Sequence, residues 1–124
     1  MLSVDMEVWA NTNKYWALVR FKDAAGNVHE RKKEEERKAT INSNYLQAFI
    51  EGFRKLIKPC MVTVYCSSDH IAACFQKEWV QSWEAHEWKN ASGNTVRNVE
   101  QWKALRRIMA PHSVRVVYVR RERA

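Results

Sequence analysis

A chain of 124 residues, 46% hydrophobic and 28% charged, has the length for one hydrophobic core and not for two, so a single domain over residues 1–124 is expected. No stretch approaches the roughly 20 apolar residues of a membrane span, and Asp5 and Glu7 stand where a signal peptide needs a basic and then an apolar run, which predicts a cytoplasmic protein. The net charge of +7 lies entirely in the last third: Met1 to Trp88 carries 12 Lys/Arg against 12 Asp/Glu, whereas Lys89 to Ala124 carries 9 against 2. An excess so placed predicts an electropositive face suited to phosphates, with a solubilising basic surface as the alternative.

In chain order, "MEVWA" and "KYWALVRF" read as strands, the second with Tyr15, Ala17, Val19 and Phe21 on one face. "KDAAGN" supplies a hairpin turn in which Gly26 and Asn27 suit positive φ. A polar strand follows from Val28, and "RKKEEERKA" reads as a solvated edge or connection. From Tyr45 the period changes: Leu46, Phe49, Ile50, Phe53, Leu56 and Ile57 recur at helical spacing until Pro59. "MVTVYC" is a buried strand, and a second helix carries Ile71, Phe75, Trp79, Val80 and Trp83. After a glycine-containing loop, Asn98 and Gln101 have the spacing of a capping box for a helix bearing Val99, Trp102, Leu105 and Ile108, and "VRVVYV" is the last strand. Three strands, helix, strand, helices, strand predicts an α/β fold with a mixed five-stranded sheet. Cys60, Cys66 and Cys74 lack metal-ligand spacing and are expected as buried reduced thiols.

The segment Trp79 to Trp102, "WVQSWEAHEWKNASGNTVRNVEQW", resembles the ribonuclease H family, whose members cleave the RNA strand of RNA–DNA hybrids with two metal ions. It keeps that family's spacing of four tryptophans and the "WK…V(K/R)NV(D/E)xW" pattern around a basic loop, or handle. The likeness extends more weakly through "NSNYLQAFIEGFRKLIKPCMVTVYCSSDHI", "MEVWAN" and "HSVRVVYV", and it implies a ribonuclease-H-like sheet.

The resemblance also implies a carboxylate set that holds magnesium. Three of its positions fall on Asn11 in "VWAN", Tyr45 in "NSNYL" and Ser67 in "VTVYCS"; the fourth belongs to a C-terminal helix that this chain does not contain, and "YVRRE" stands where the family's mobile histidine motif would begin. The expectation is therefore a catalytically degenerate, C-terminally truncated member: not an enzyme, with no catalytic residues, no metal and no cofactor. A divergent nuclease requires Asp69, with Asp5 or Glu7, to rebuild a metal site. Cys66 and His70 are spaced incidentally for a nucleophile and its base.

What the resemblance retains is substrate holding. Trp79, Trp83 and Trp88 are expected on the second helix and its extension, bracing a handle that presents Lys89, Arg97 and Asn98. Lys103, Arg106 and Arg107 add cations on the next helix, and Asn42 and Asn11 offer hydrogen bonds to backbone or sugar oxygens. The leading expectation is a binding domain for an RNA–DNA hybrid or duplex, recognised by shape and charge. The alternative is a protein-interaction module, an inhibitor of a nucleoprotein enzyme carried by a mobile element.

Overall fold

The structure, a computed structural model, describes residues 1–120, so the last two residues of "YVRRE" lie outside the described residues. The elements run β1 (Leu2–Ala10), β2 (Lys14–Lys22), β3 (Val28–Glu36), α1 (Ile41–Arg54), β4 (Cys60–Cys66), α2 (Asp69–Gln76), α3 (Trp79–Ala85), α4 (Val99–Met109) and β5 (Ser113–Tyr118). They build one five-stranded sheet in the order β3-β2-β1-β4-β5. β1 pairs antiparallel with β2 and parallel with β4, and β5 joins β4 in parallel, so the sheet is mixed as expected. None of the described helices is long and apolar enough to cross a membrane.

Strand alternation sets the faces. Val4, Met6 and Val8 of β1, Tyr15, Ala17 and Val19 of β2, and Val62 and Val64 of β4 are buried on the side that α1 covers. Between β2 and β3, Asp23 Oδ1 accepts hydrogen bonds from the backbone N–H groups of Ala25 and Asn27, and Gly26 takes φ 87°; Asn27 does not adopt the positive φ expected for it. The charged run is both edge and connection: Arg31 to Glu36 complete the edge strand β3 begun at Val28, where charged side chains disfavour pairing with another strand, and Arg37 to Ala39 lead on to α1.

α1 starts four residues before Tyr45. Thr40 caps it by accepting from the Ser43 N–H at 3.1 Å, and its polar first turn, Asn42 to Asn44, is invisible to an apolar period although Ser43 and Asn44 are buried. The helix ends at Arg54, where the Lys55 N–H turns back to Gly52 and Phe53, so Leu56 and Ile57 fall outside it and Ile57 is 94% exposed. Gly52 lets α1 lie close to the sheet: a Cβ there would stand 2.6 Å from Met6 Sδ and 3.3 Å from Ala17 Cβ.

The expected second helix is two. Glu78 adopts a left-handed conformation, φ 58° and ψ 26°, which ends α2 and redirects the chain into α3. Rings then run from core to surface: Phe49 stacks on Phe75 at 5.4 Å, Phe75 meets Trp102 at 5.5 Å, and Trp102 meets the edge of Trp83 at 5.5 Å. The three cysteines are free and buried, and burial pushes the Cys66 thiol up to about 12 and the Cys74 thiol up to about 11.

Candidate nucleic-acid interface

At the ends of β1 and β4 the structure brings the expected central positions to the first turns of α1. Tyr45, almost fully buried, shares a 2.8 Å hydrogen bond between its hydroxyl and Ser67 Oγ. Asn11 turns its side chain to its own loop, accepting from the N–H groups of Asn13 and Lys14, while its carbonyl accepts from Asn44 Nδ2 at 2.8 Å. Asn44 is the residue that sequence reasoning missed. Fully buried, it also donates to the Arg37 carbonyl and accepts from the Arg37 guanidinium, both at 2.8 Å, and so fastens the ends of β1 and β3 to the first turn of α1.

Two magnesium ions close together require several carboxylates, and Asn11, Tyr45 and Ser67 are neutral. Asp69 opens α2 as an exposed residue, and among the described residues no three His, Cys, Asp or Glu side chains converge. The donor set at these positions does not fit a metal pair. Cys66 is buried with its thiol directed toward the Ser68 carbonyl at 3.6 Å, and His70 Nε2 lies 4.0 Å from Cys74 Sγ.

The handle is a closed loop. The Val96 N–H donates to the Trp88 carbonyl at 2.9 Å, Lys89 and Thr95 form an antiparallel bridge, and Asn90 Oδ1 accepts from the N–H groups of Ser92 and Asn94 while Gly93 takes φ 81°. Trp83 and Trp88 pack partly buried against the core, which leaves Lys89 and Arg97 exposed on a braced loop. Trp79 is 39% exposed rather than core, with Lys77 Nζ 5.3 Å from its ring centre.

The expected capping box does not form. Asn98 sits in the left-handed region at φ 59° and makes no side-chain cap, and Gln101 directs its amide across the helix pair. Gln101 Nε2 donates to the Ser43 carbonyl at 3.0 Å and to Gln47 Oε1 at 3.1 Å, and Gln101 Oε1 accepts from Ser43 Oγ at 2.7 Å, which locks α4 to α1. Between this lock and the handle opens a cleft of about 510 Å³ that collects Asn42, Trp79, Trp83, Arg97 and Asn98, with His70 on its wall. Trp88 and Lys89 stand outside that lining, on the loop itself.

The cations of α4 point three ways. Arg106 donates to Glu84 at 2.8 Å and ties α4 to α3. Lys103 lies 4.0 Å from Glu100, a loose surface pair. Arg107 is exposed at the far end, beside a separate hollow. Of the basic residues expected to bind together, Arg97 alone lines the cleft.

Comparison with known proteins places this geometry. The RNase H family matches residues 9–121. Ribonuclease H of a Thermus thermophilus strain is 36% identical over 105 residues, which are 84% of this chain and 60% of that protein, so the chain spans about three fifths of that relative's length. Ribonuclease H of Lachnoclostridium phytofermentans is 32% identical over 107 residues, covering 86% of this chain and 68% of the relative. Among solved structures, LC9-RNase H1, described as a type 1 RNase H with the type 2 active-site motif, superposes with a TM-score of 0.80 at 21% identity, covering 97% of this chain and 64% of that one. LC11-RNase H1, solved in complex with an RNA/DNA hybrid, superposes at 0.56 with 18% identity, covering 98% of this chain and 86% of that one. These findings confirm the expected fold, and they overturn the expectation that the chain is not an enzyme, because its relatives carry an enzyme's name. With the family matched across nearly the whole chain, the protein belongs to the ribonuclease H family.

Proposed function

We propose that residues 1–124 form one domain that acts on RNA–DNA hybrids in the cytoplasm, gripping the duplex between the first turn of α1 and the handle. The observation that carries this reading is the cleft in which Trp79, Trp83, Arg97, Asn98 and Asn42 meet. Its chemistry suits a nucleic-acid backbone: Arg97 offers a guanidinium fork to phosphate, the Asn42 and Asn98 amides offer donors and acceptors to sugar 2′-hydroxyls, and Trp79 gives a half-exposed indole face. Recognition of this kind reads shape and charge, not base sequence.

Lys89 and Arg97 lead the handle and supply the electrostatic part of the grip. The three buried, reduced cysteines accord with a cytoplasmic site. No feature of the cleft favours the inhibitor reading over the hybrid reading.

The test is a fluorescence-anisotropy titration of the full chain on RNA–DNA hybrid, double-stranded RNA and double-stranded DNA at two salt concentrations, run beside a cleavage assay on end-labelled hybrid with magnesium or manganese. The hybrid is expected to bind independently of sequence, and Lys89→Ala with Arg97→Ala should weaken it by about 1 kcal/mol per contact and lower the salt slope by about one for each. Absence of hybrid binding at low salt, or an unchanged affinity in the double variant, would remove the handle as the grip.

A further inference from the structure

The strand residues that are buried all lie on the face of the sheet that the helices cover; on the opposite face no described residue is buried. Register assembles that open face in rows. Trp9 stands beside Trp16, their rings stacked at 6.4 Å, and in the next row Leu18, Glu7, Tyr65 and Val117 follow one another across β2, β1, β4 and β5. Arg20, Asp5, Thr63 and Arg115 form the row after it, and Met61, 51% exposed, stands one row further on β4. The charges of β2 are engaged within the chain: Arg20 holds Glu30 at 3.0 Å, and Lys14 lies 3.7 Å from Glu34. Asp5 and Arg115, both exposed and of opposite sign, flank Thr63 at one strand spacing each, about 10 Å apart.

We propose that this open face is an interface between two copies of the chain, related by a twofold axis that runs along β4. Turning one copy about that axis exchanges the positions of β1 and β5. Asp5 of each copy then meets Arg115 of the other, and Met61 and Tyr65 pack against their own counterparts. Two observations select a second copy as the occupant. Opposite charges placed evenly about β4 are self-complementary, whereas a partner of one charge sign would gain an attraction at one of them and a repulsion at the other. The +7 excess lies elsewhere: Lys89, Arg97, Lys103, Arg106 and Arg107 sit on the handle and α4, on the helical side, where salt screens them from this face. An overlap of three strands covers about 15 Å by about 20 Å, small for a specific interface, so the association is weak and concentration-dependent. The cleft that Arg97 lines stays open on the helical side, and the proposal does not rest on the hybrid reading.

The test is sedimentation velocity of the full chain from about 10 to about 300 µM, over which the mass is expected to move from monomer toward dimer. Asp5→Arg and Arg115→Glu, each checked for an unchanged thermal melt, should alone weaken association about tenfold or more. An equimolar mixture of the two variants should restore it, because a mixed dimer again sets opposite charges against each other at both contacts. Met61→Glu, at an exposed position on the axis, should also weaken association about tenfold, while leaving hybrid affinity within about twofold. A wild type that stays monomeric at every concentration would overturn the proposal and leave the face to a different partner. So would dimers that survive all three variants, which would use another surface, or folded Asp5→Arg and Arg115→Glu chains that fail to associate when mixed.

Discussion

Replacing Asn44 by alanine isolates the fastening that positions the centre of the site. The side chain is fully buried and makes three hydrogen bonds of 2.8 Å: two donated, to the carbonyls of Asn11 and Arg37, and one accepted from the Arg37 guanidinium. Two neutral bonds contribute about 1 kcal/mol each and a bond to a charged group about 2, giving about 4 kcal/mol gross. Water reaching the half-buried Arg37 recovers part of this, so a net loss of about 3 kcal/mol is expected. With a urea slope near 2 kcal/mol per molar, the midpoint should fall by roughly 1.5 M. Asn44→Asp separates the terms: it keeps the acceptor for Arg37 but aims lone pairs at two carbonyl oxygens, and should cost as much as alanine. Asn42→Ala, in the same helical turn but lining the cleft, should change stability by no more than about 0.5 kcal/mol. The assay is equilibrium urea unfolding followed by tryptophan fluorescence and far-ultraviolet circular dichroism. A loss below about 1 kcal/mol for Asn44→Ala, or tolerance of aspartate, would refute the fastening.

Gly52→Ala sets about 1 kcal/mol of helix propensity against a Cβ that stands 2.6 Å from Met6 Sδ and 3.3 Å from Ala17 Cβ, and because Met6 is fully buried and must shift, a net loss of about 1 kcal/mol in urea melts is expected, restored when Met6→Val is added. Glu78→Gly removes the left-handed strain between α2 and α3 and should stabilise by about 0.5–1 kcal/mol; destabilisation would mean that the turn is not left-handed. Asp23 is held down at about 2 by its hydrogen bond with His29 and by the Asn27 and Ala25 N–H groups. A depressed carboxylate adds stability that is complete above its ordinary value near 3.8 and lost as pH falls toward 2, so the urea midpoint of the wild type should drop more steeply between pH 4 and pH 2 than that of Asp23→Asn, and parallel curves would count against the linkage.

What was legible in the sequence is what periodicity carries. Alternation in "KYWALVRF" put Tyr15, Ala17 and Val19 on the buried face, and the helical spacing of Leu46, Phe49, Ile50 and Phe53 marked the face of α1 that meets the sheet. The loop expected after Trp88 is present, closed by the Val96 N–H on the Trp88 carbonyl. The misreadings have two causes: polar groups whose partners are distant in sequence, and backbone states that no side chain announces. Gln101 has the spacing of a cap residue, yet its amide binds Ser43 and Gln47 more than fifty positions away, and Asn44 looks like a solvent-facing residue until Arg37 and Asn11 surround it. Glutamate at 78 and tryptophan at 88 give no warning of positive φ, since neither is a residue that favours it. These left-handed positions, with Glu87 and Asn98, all fall between α2 and α4. They turn the chain sharply around α3 and the handle, so the rings of Trp79 and Trp83 reach the same cleft as Arg97 and Asn98 although no helical or strand period relates them. In this fold, core packing follows from pattern. The cleft follows from the left-handed turns at Glu78, Glu87, Trp88 and Asn98 and from the Gln101 lock, so no period in the sequence assembles it.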